Sequence, residues 1–288
     1  MKTKTIYPFW LLIPMLVLYT FFFMAPVVLG IGYSFTNWNT YSDVVKFTGF
    51  QNFIDIFSAK GSYSPMIVRS FIFTFFTVIF KIAVGLGLAV ALNTNIRCKN
   101  LLRSFFFLPS NLSALIIGIL FRSILSPNGI VNAVLRAAGL DFLATGWLGD
   151  PNTVLGAVIL TEVWREAGLN MVMLLAGMQV IPADYYEASS IDGASGRAQF
   201  LKITVPLLFP VITVVTILDT IHGIKAFDLI FALTGGGPGR LTEVFNITVF
   251  NEFSSGRFGM STAMGVVVFI IALIPAMLIK NTMTGERK

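Results

Sequence analysis

The sequence predicts an all-α membrane protein: six transmembrane helices, with a polar hairpin between the fourth and the fifth. Three observations carry the prediction. Apolar residues make up 56% of the 288-residue chain and Asp, Glu, Lys and Arg only 12%, too little charge to cover a soluble surface. Mean hydropathy is +0.82. The apolar residues run in blocks of about 20 or more, the length a helix needs to cross the hydrocarbon core, rather than in the stripes of a soluble amphipathic helix.

Six blocks qualify: Phe9–Phe35, Ile67–Leu92, Leu101–Leu125, Val154–Val180, Ile203–Gly223 and Phe258–Ile279. Pro14 and Pro26 interrupt the first and Pro109 lies in the third. Membrane helices tolerate such prolines when neighbouring groups satisfy the freed carbonyls. Lys2 and Lys4 before the first block imitate the start of a signal peptide. That block is longer than a signal core of about 7–15 residues and no clear small-x-small cleavage site follows it, so it reads as a retained span. With no repeat or low-complexity run, residues 1–288 read as one domain.

The net charge of +6 does not form a nucleic-acid patch, because the basic residues sit mainly at the ends of the apolar blocks. With the N-terminus inside, cytoplasmic pieces carry Lys2, Lys4, Arg97, Lys99, Arg103, Arg197, Lys202, Lys280, Arg287 and Lys288. The opposite-side loops carry Lys46, Lys60, Arg136, Lys225, Arg240 and Arg257. The density contrast is roughly threefold and places both termini in the cytoplasm. The single Cys98 excludes an intrachain disulfide and a multi-cysteine metal site. The outer loops Thr36–Met66, Ser126–Asn152 and Ile224–Arg257 mix aromatics with Gly, Asn and Pro, as in Gly49-Phe50-Gln51-Asn52-Phe53, and read as short surface helices and turns.

The segment 183–202 carries the most information. Pro182 stops the incoming helix, Asp184 can cap a new one, and Tyr185–Ile191 has helical composition. Gly193 reverses the chain where a side chain would obstruct close packing. A second short helix follows through Gln199 and Phe200, and Pro206 sits in the first turns of the next span. The product is a helix–turn–helix knob with Glu187 exposed, a shape suited to a groove on a partner.

The pattern Glu187-Ala188-Ser189-x-x-Asp192-Gly193, nine residues, then Ile203-x-Val205-Pro206 resembles the EAA loop of permease subunits from bacterial binding-protein-dependent ABC importers. Ser189 in place of the second Ala, and Val205 where Leu is commoner, are small departures. Trp147-Leu148-Gly149-Asp150-Pro151, Gly177-Met178-Gln179 and Thr234-Gly235-Gly236-Gly237-Pro238 are similar to the carbohydrate-uptake branch. Tyr33-Ser34-Phe35 and Phe47-Thr48-Gly49-Phe50 resemble the first, MalF-type permease of maltose-type systems. The resemblance implies the type I ABC importer permease fold in a bacterial inner membrane. It also implies coupling through Glu187, Ala188, Ser189, Asp192, Gly193, Ile203 and Pro206, with Glu187 pairing to a basic group on the ATPase. The implied partners are a second homologous permease, two ATPase subunits and an extracytoplasmic solute-binding protein. The implied cargo is a sugar or a sugar-like solute such as glycerol phosphate. No P-loop pattern occurs in the chain, so ATP and Mg are expected on the ATPase, with no cofactor and no catalysis here.

Ionisable residues inside spans mark a cavity or a partner. Glu162, Arg165, Glu166 and Asn170 share one stripe of the fourth span, and Asp219 and His222 lie in the outer half of the fifth. Counted from the EAA loop, Glu162, Glu166, Asp219, His222 and Gly223 fall where the resemblance puts the sugar site. Two readings stay open: a self-neutralising cluster, or a pathway whose carboxylates accept bonds from sugar hydroxyls. Lys81 and Arg122 are placed near span ends, where they snorkel or pair. His222 is not read as a metal ligand, because no second ligand lies at a useful spacing. The competing functional class is a stand-alone secondary transporter or channel driven through Glu162, Glu166 and Asp219.

Overall fold

The computed structural model describes residues 9–42, 44–58, 63–94 and 96–285. Lys2, Lys4, Lys60, Arg287 and Lys288, used above for orientation, lie outside them, as does the side chain of Lys280. The described residues are helical apart from turns and a single bridge between Thr36 and Phe47. They form two compact units, one of residues through Ser64 with Thr248–Val267, the other of Pro65–Ile247 with the chain from Val268.

In the first unit, α1 (Ile13–Tyr19) and α2 (Ala25–Tyr33) make one apolar rod with no buried residue. Both prolines sit in the opening turns of these helices, and a π-turn at Thr20–Met24 absorbs the break before Pro26. The loop after α2 is anchored by side-chain amides. Asn52, on α3 (Gln51–Phe57), donates to Ser34 O and Thr36 O at 2.8 and 2.9 Å. Phe35 packs against Phe50 and Phe53. Gly256 has φ +76°, and a Cβ there would sit 2.3 Å from Thr40 Oγ1, so only glycine fits.

The second unit is built on three long helices. They are α4 (Ser64–Leu92), α8 (Val154–Gln179) and α11 (Val205–Ile224). Their contacts are made by small residues that let backbones approach, the usual device where apolar burial alone gives no preference for one helix over lipid. A Cβ on Gly85 of α4 would lie 2.7 Å from Asn170 Cβ of α8. One on Gly223 of α11 would lie 2.9 Å from Thr74 Cγ2 of α4, and one on Gly177 of α8 2.8 Å from Leu208 Cδ1 of α11. Two apolar clusters follow. One gathers Phe73, Ile117, Val163, Ile230 and Ile247, and the other Ala89, Met171, Leu174, Leu208 and Val215.

The third expected span is not one rod. α5 (Lys99–Phe107) continues as a 3₁₀ turn through Pro109 to Asn111, and α6 (Ala114–Ile124) leaves at 97°. The break falls at Leu112 and Ser113, both extended, three residues beyond the proline. Neither half reaches the roughly 30 Å of a hydrocarbon core at 1.5 Å per residue. Ser110 Oγ and Asn111 Nδ2 donate to Phe107 O at 2.7 and 3.1 Å, satisfying a carbonyl that the break frees. α6 packs on α12 (Asp228–Thr234), where a Cβ on Gly118 would meet Ala232 Cβ at 2.3 Å.

Among the described residues four helices alone are long and apolar enough to cross a membrane, or up to six if each of two bent pairs is one span. The four are Ile13–Tyr33, Ser64–Leu92, Gly196–Ile224 and Phe258–Ile279, the last within α14 (Phe258–Gly285). The loops 36–66, 126–152 and 224–257 hold the expected short helices: α3, α7 (Ile130–Ala137), α12 and α13 (Phe245–Ser254). Trp147 belongs to a small knot there. Its Nε1 donates to Asn132 Oδ1 at 2.8 Å, and Asn132 Nδ2 donates to Thr145 O at 2.7 Å. The Phe-rich runs divide, with Phe73 buried and Phe75, Phe76 and Phe105 on the apolar surface.

A Cβ on Gly168 of α8 would lie 1.9 Å from Phe106 O, against backbone that cannot yield. Gly168→Ala is expected to destabilise the protein by about 1–3 kcal/mol. Gly87→Ala, with nothing within 4 Å, is expected to be neutral or slightly stabilising. Thermal melting of the two variants in detergent checks the contrast.

Candidate functional site

Two polar features interrupt the apolar helices. The first is the hairpin between α8 and α11. α8 ends at Gln179, Pro182 follows, and α9 (Asp184–Ile191) begins. Ala183, not Asp184, occupies the cap position. Asp184 lies in the first turn with Glu187, where carboxylates favour the helix dipole without a capping bond. Gly193 turns the chain at φ +78°, with nothing within 4 Å of a Cβ. The glycine is therefore required by its left-handed backbone and not, as the sequence suggested, by close packing. α10 (Gly196–Gln199) opens on Ser195, whose Oγ accepts the Ala198 N–H at 3.3 Å. A π-turn at Phe200–Thr204, containing the half-buried Ile203, leads into α11 with Pro206 at its start.

Two contacts hold the arms together. Gln199 Nε2 reaches Ser189 Oγ and Ser190 Oγ at 2.9 Å each and Tyr186 O at 3.2 Å. Tyr186 Oη meets Thr204 Oγ1 at 3.0 Å. Ser189, one of the departures from the family pattern, is thus a bonding partner that Ala could not supply. Glu187, Ala188 and Asp192 are exposed, and Glu187 has no ion-pair partner among the described residues. Ile191 and Tyr185, 88% and 53% exposed, give the knob an apolar tip beside that carboxylate.

The second feature is a cluster of ionised groups where α4, α8 and α11 meet. On α8, Glu162, Arg165, Glu166 and Asn170 are all buried. Arg165 Nη2 lies 3.1 Å from Glu162 Oε2, and Nη1 lies 2.6 Å from Glu166 Oε1. Asn170 Nδ2 donates to Asp219 Oδ2 of α11 at 2.6 Å. The Lys81 ammonium of α4 has no exposed surface and sits 2.9 Å from Asp219 Oδ1 and 3.9 Å from Glu162 Oε1. His222, with half its side chain exposed, brings Nδ1 to 3.5 Å from Glu162 Oε1. Three carboxylates thus face one lysine, one arginine and one imidazole.

Sequence spacing brought most of this cluster into view and misjudged two members. Lys81 is not near a span end. It is the eighteenth residue of the 29-residue α4, and it pairs rather than snorkels. The readable signal was a single lysine inside a long apolar run, which by default marks a functional position. Gly223 lets α11 approach Thr74 of α4 beside the cluster. His222 does have neighbours of ligand type, because folding brings Glu162 and Glu166 from α8 within 4.8 Å of it. Both carboxylates are already engaged by Arg165, so the donor set does not fit a cation.

Beside the cluster lies a cavity of about 110 Å³, with Phe73, Glu162, Arg165, His222, Phe227 and Asp228 in its wall. It has room for three or four waters and is smaller than the roughly 300 Å³ at which whole ligand sites begin.

A helical membrane protein with an exposed polar hairpin and a buried charge cluster is the class this architecture defines. Residues 81–282 match the family described as binding-protein-dependent transport system inner membrane component. The chain is 35% identical over 269 residues to the multiple sugar-binding transport system permease protein MsmF of Streptococcus mutans, covering 93% of this chain and 91% of that one. It is 32% identical over 265 residues to the trehalose/maltose transport system permease protein MalF of Thermococcus litoralis, covering 91% and 88%. Among solved structures, a bacterial ABC transporter involved in import of the acidic polysaccharide alginate has a chain of the same fold. It superposes with a TM-score of 0.83 at 22% identity over 96% of this chain and 95% of that one. The chain belongs to the family of binding-protein-dependent transport system inner membrane components and is a multi-pass membrane permease.

Replacing Lys81 by Met leaves Asp219 buried without its counter-ion, at an expected cost of about 3–5 kcal/mol. Adding Asp219→Asn removes the stranded charge and keeps a group for Asn170, so the double variant should recover most of the loss. Melting temperatures of the single and double variants in detergent check this.

Proposed function

We propose that this chain is one of the two permease subunits of an ATP-driven importer of sugars or sugar-like solutes, and that its hairpin is the docking site for the ATPase. The subunit sits in a bacterial inner membrane with both termini cytoplasmic. A second, related permease completes the pathway, two ATPase subunits bind ATP and Mg, and an extracytoplasmic binding protein delivers the solute. The chain itself catalyses nothing and holds no cofactor.

The observation that carries the reading is the continuity of the hairpin with the charge cluster. The helix from Gly196 to Ile224 runs unbroken from the knob to Asp219 and His222. At 1.5 Å per residue about 35 Å of continuous helix joins Gly196 at the knob to Asp219. A push on the knob therefore moves the cluster as one end of a lever, as alternating access about a midplane site requires. The exposed Glu187 is the group that meets a basic side chain of the ATPase, and Gly193 holds the turn that presents it. Glu162, Arg165, Glu166, Asn170, Asp219, His222 and Gly223 line or brace the pathway. The sugar-transport names of its relatives support the cargo class.

Glu187→Lys is expected to leave the protein in the membrane and abolish ATP-driven uptake into proteoliposomes holding the whole complex. Gly193→Val forces a β-branched residue into the left-handed region at about 1–2 kcal/mol or more and should also uncouple, whereas Gly193→Asn should retain most uptake. Normal uptake with Glu187→Lys refutes the docking role. Uptake by the purified chain alone, driven by an ion gradient, points instead to a stand-alone transporter.

A further inference from the structure

We infer that Tyr186 is a positioning residue of the coupling: the bond from its hydroxyl to Thr204 carries the push of the ATPase from α9 into α11. This rests on the docking role proposed above for the hairpin. It adds the route by which a contact at Glu187 enters the membrane helices.

The inference comes from following the chain away from Glu187 in both directions. Toward α8 the path crosses Pro182, at a break where α8 and α9 are bent by 69°. Toward α11 it crosses Gly193, whose left-handed turn has open space around it. Breaks at proline and turns at glycine are where a chain gives way under load. Neither covalent path is stiff enough to pass on a displacement of α9 by itself, so contacts between side chains have to do so. α9 has two faces that divide this work. Glu187, Ala188, Ile191 and Asp192 are exposed, whereas Tyr186 and Ser189, three residues apart on one face, are half-buried. Ser189 Oγ and the Tyr186 carbonyl take the Gln199 amide of α10. The Tyr186 hydroxyl reaches further along the chain, meeting Thr204 Oγ1 at 3.0 Å. The residue next to the docking carboxylate is thereby bonded to the last residue before α11.

Thr204 is where such a brace has an effect. It is 3% exposed and closes the π-turn Phe200–Thr204. The Val205 N–H reaches back five residues to Phe200 O, and Pro206 brings no N–H to the ladder. A helix loosened in this way bends at the loosened turn unless something holds it. With the junction held from α9, a push moves α11 and, at its far end, Asp219 and His222. The bond is also separable from the fold. Tyr186→Phe keeps the ring and removes one hydroxyl. The Thr204 hydroxyl left behind can turn to the carbonyl four residues back, as Thr213, Thr216 and Thr220 do within α11.

The test uses the whole importer, both permeases with their ATPases, in nanodiscs. Cys98, the single cysteine of this chain, is replaced by Ser, and His222→Cys places a thiol beside the cavity. The rate at which N-ethylmaleimide labels that thiol is compared without nucleotide and with ATP and vanadate, which hold the ATPases closed. Co-purification of the ATPase is read in parallel. With the hairpin unaltered, closure is expected to change the labelling rate. Tyr186→Phe and Thr204→Val are each expected to shrink that change about fivefold, the worth of one hydrogen bond, with the ATPase still bound. The double variant should lose no more than either single one, and Thr204→Ser, which keeps the hydroxyl, should behave as the unaltered chain. A change undiminished in Tyr186→Phe and Thr204→Val overturns the inference and leaves the docking reading standing. Losses that multiply in the double variant overturn it too, because the two side chains then act separately. Loss of the ATPase from Tyr186→Phe overturns it by making Tyr186 a docking contact. An unaltered hairpin that binds no ATPase, or that shows no labelling change on closure, removes the proposed reading of the hairpin and this inference together.

Discussion

Lys81 and Asp219 occupy a region where neither could remain charged alone. Removing an ion from water costs several kcal/mol even after relaxation, whereas two unit charges about 4 Å apart recover roughly 4 kcal/mol at an effective dielectric of 20. The balance closes only if the two helices come close enough and further groups complete the coordination. That condition explains the architecture around the pair. Gly85 lets α4 touch α8 at Asn170, and Gly223 lets α11 touch α4 at Thr74. Asn170 then supplies the second bond to Asp219. The small residues are the geometric precondition for a charged centre, and the charged centre in turn determines which faces of three long helices meet.

The hairpin depends on the same frame. α8 and α11 leave the cluster, converge through Gly177 on Leu208 and Val211, and are joined by the knob. Polar bonding confined to the knob, with Gln199 against two serines and Tyr186 against Thr204, keeps its arms together without an apolar core of its own. The knob can therefore expose Glu187, Tyr185 and Ile191 and still hold its shape. One continuous helix, Gly196–Ile224, joins the braced knob to the paired cluster.

How much of this was legible in the sequence depended on the range of the interaction. Span lengths are imposed residue by residue by bilayer thickness, so Val154–Val180 and Ile67–Leu92 come within a few residues of the helices found. The hairpin was readable because proline, glycine and the first helical turn act locally. Even so, the reason for Gly193 was misjudged, since a turn glycine can be required by φ or by packing and sequence does not separate the two. Long-range pairings were not readable. Lys81 meets Asp219 across 138 positions, and no periodicity within either helix reports it. For the same reason the spacing argument against His222 failed, because its carboxylate neighbours come from another helix. The break at Leu112 and Ser113 escaped because Pro109 drew attention to itself. A proline one turn from a helix end is tolerated, whereas the extended backbone that follows it here carries no equally strong mark.

The cluster also bears on whether its charges serve stability or transport, a choice that local sequence left open. A fully self-neutralising network would pair each carboxylate with one cation and close itself off from solvent. This one does neither. Arg165 is shared by two carboxylates, Lys81 is shared by two, and Glu162 takes part in both pairings while still bordering a cavity with His222. Three carboxylates thus share one lysine, one arginine and one imidazole, and a structure optimised for stability alone would not keep such a network, since replacing buried ion networks with apolar side chains is often neutral or stabilising. The buried pairs hold the three helices together. At about 110 Å³ the cavity they border is too small to enclose a whole ligand, so the network serves first to fix the helices around it.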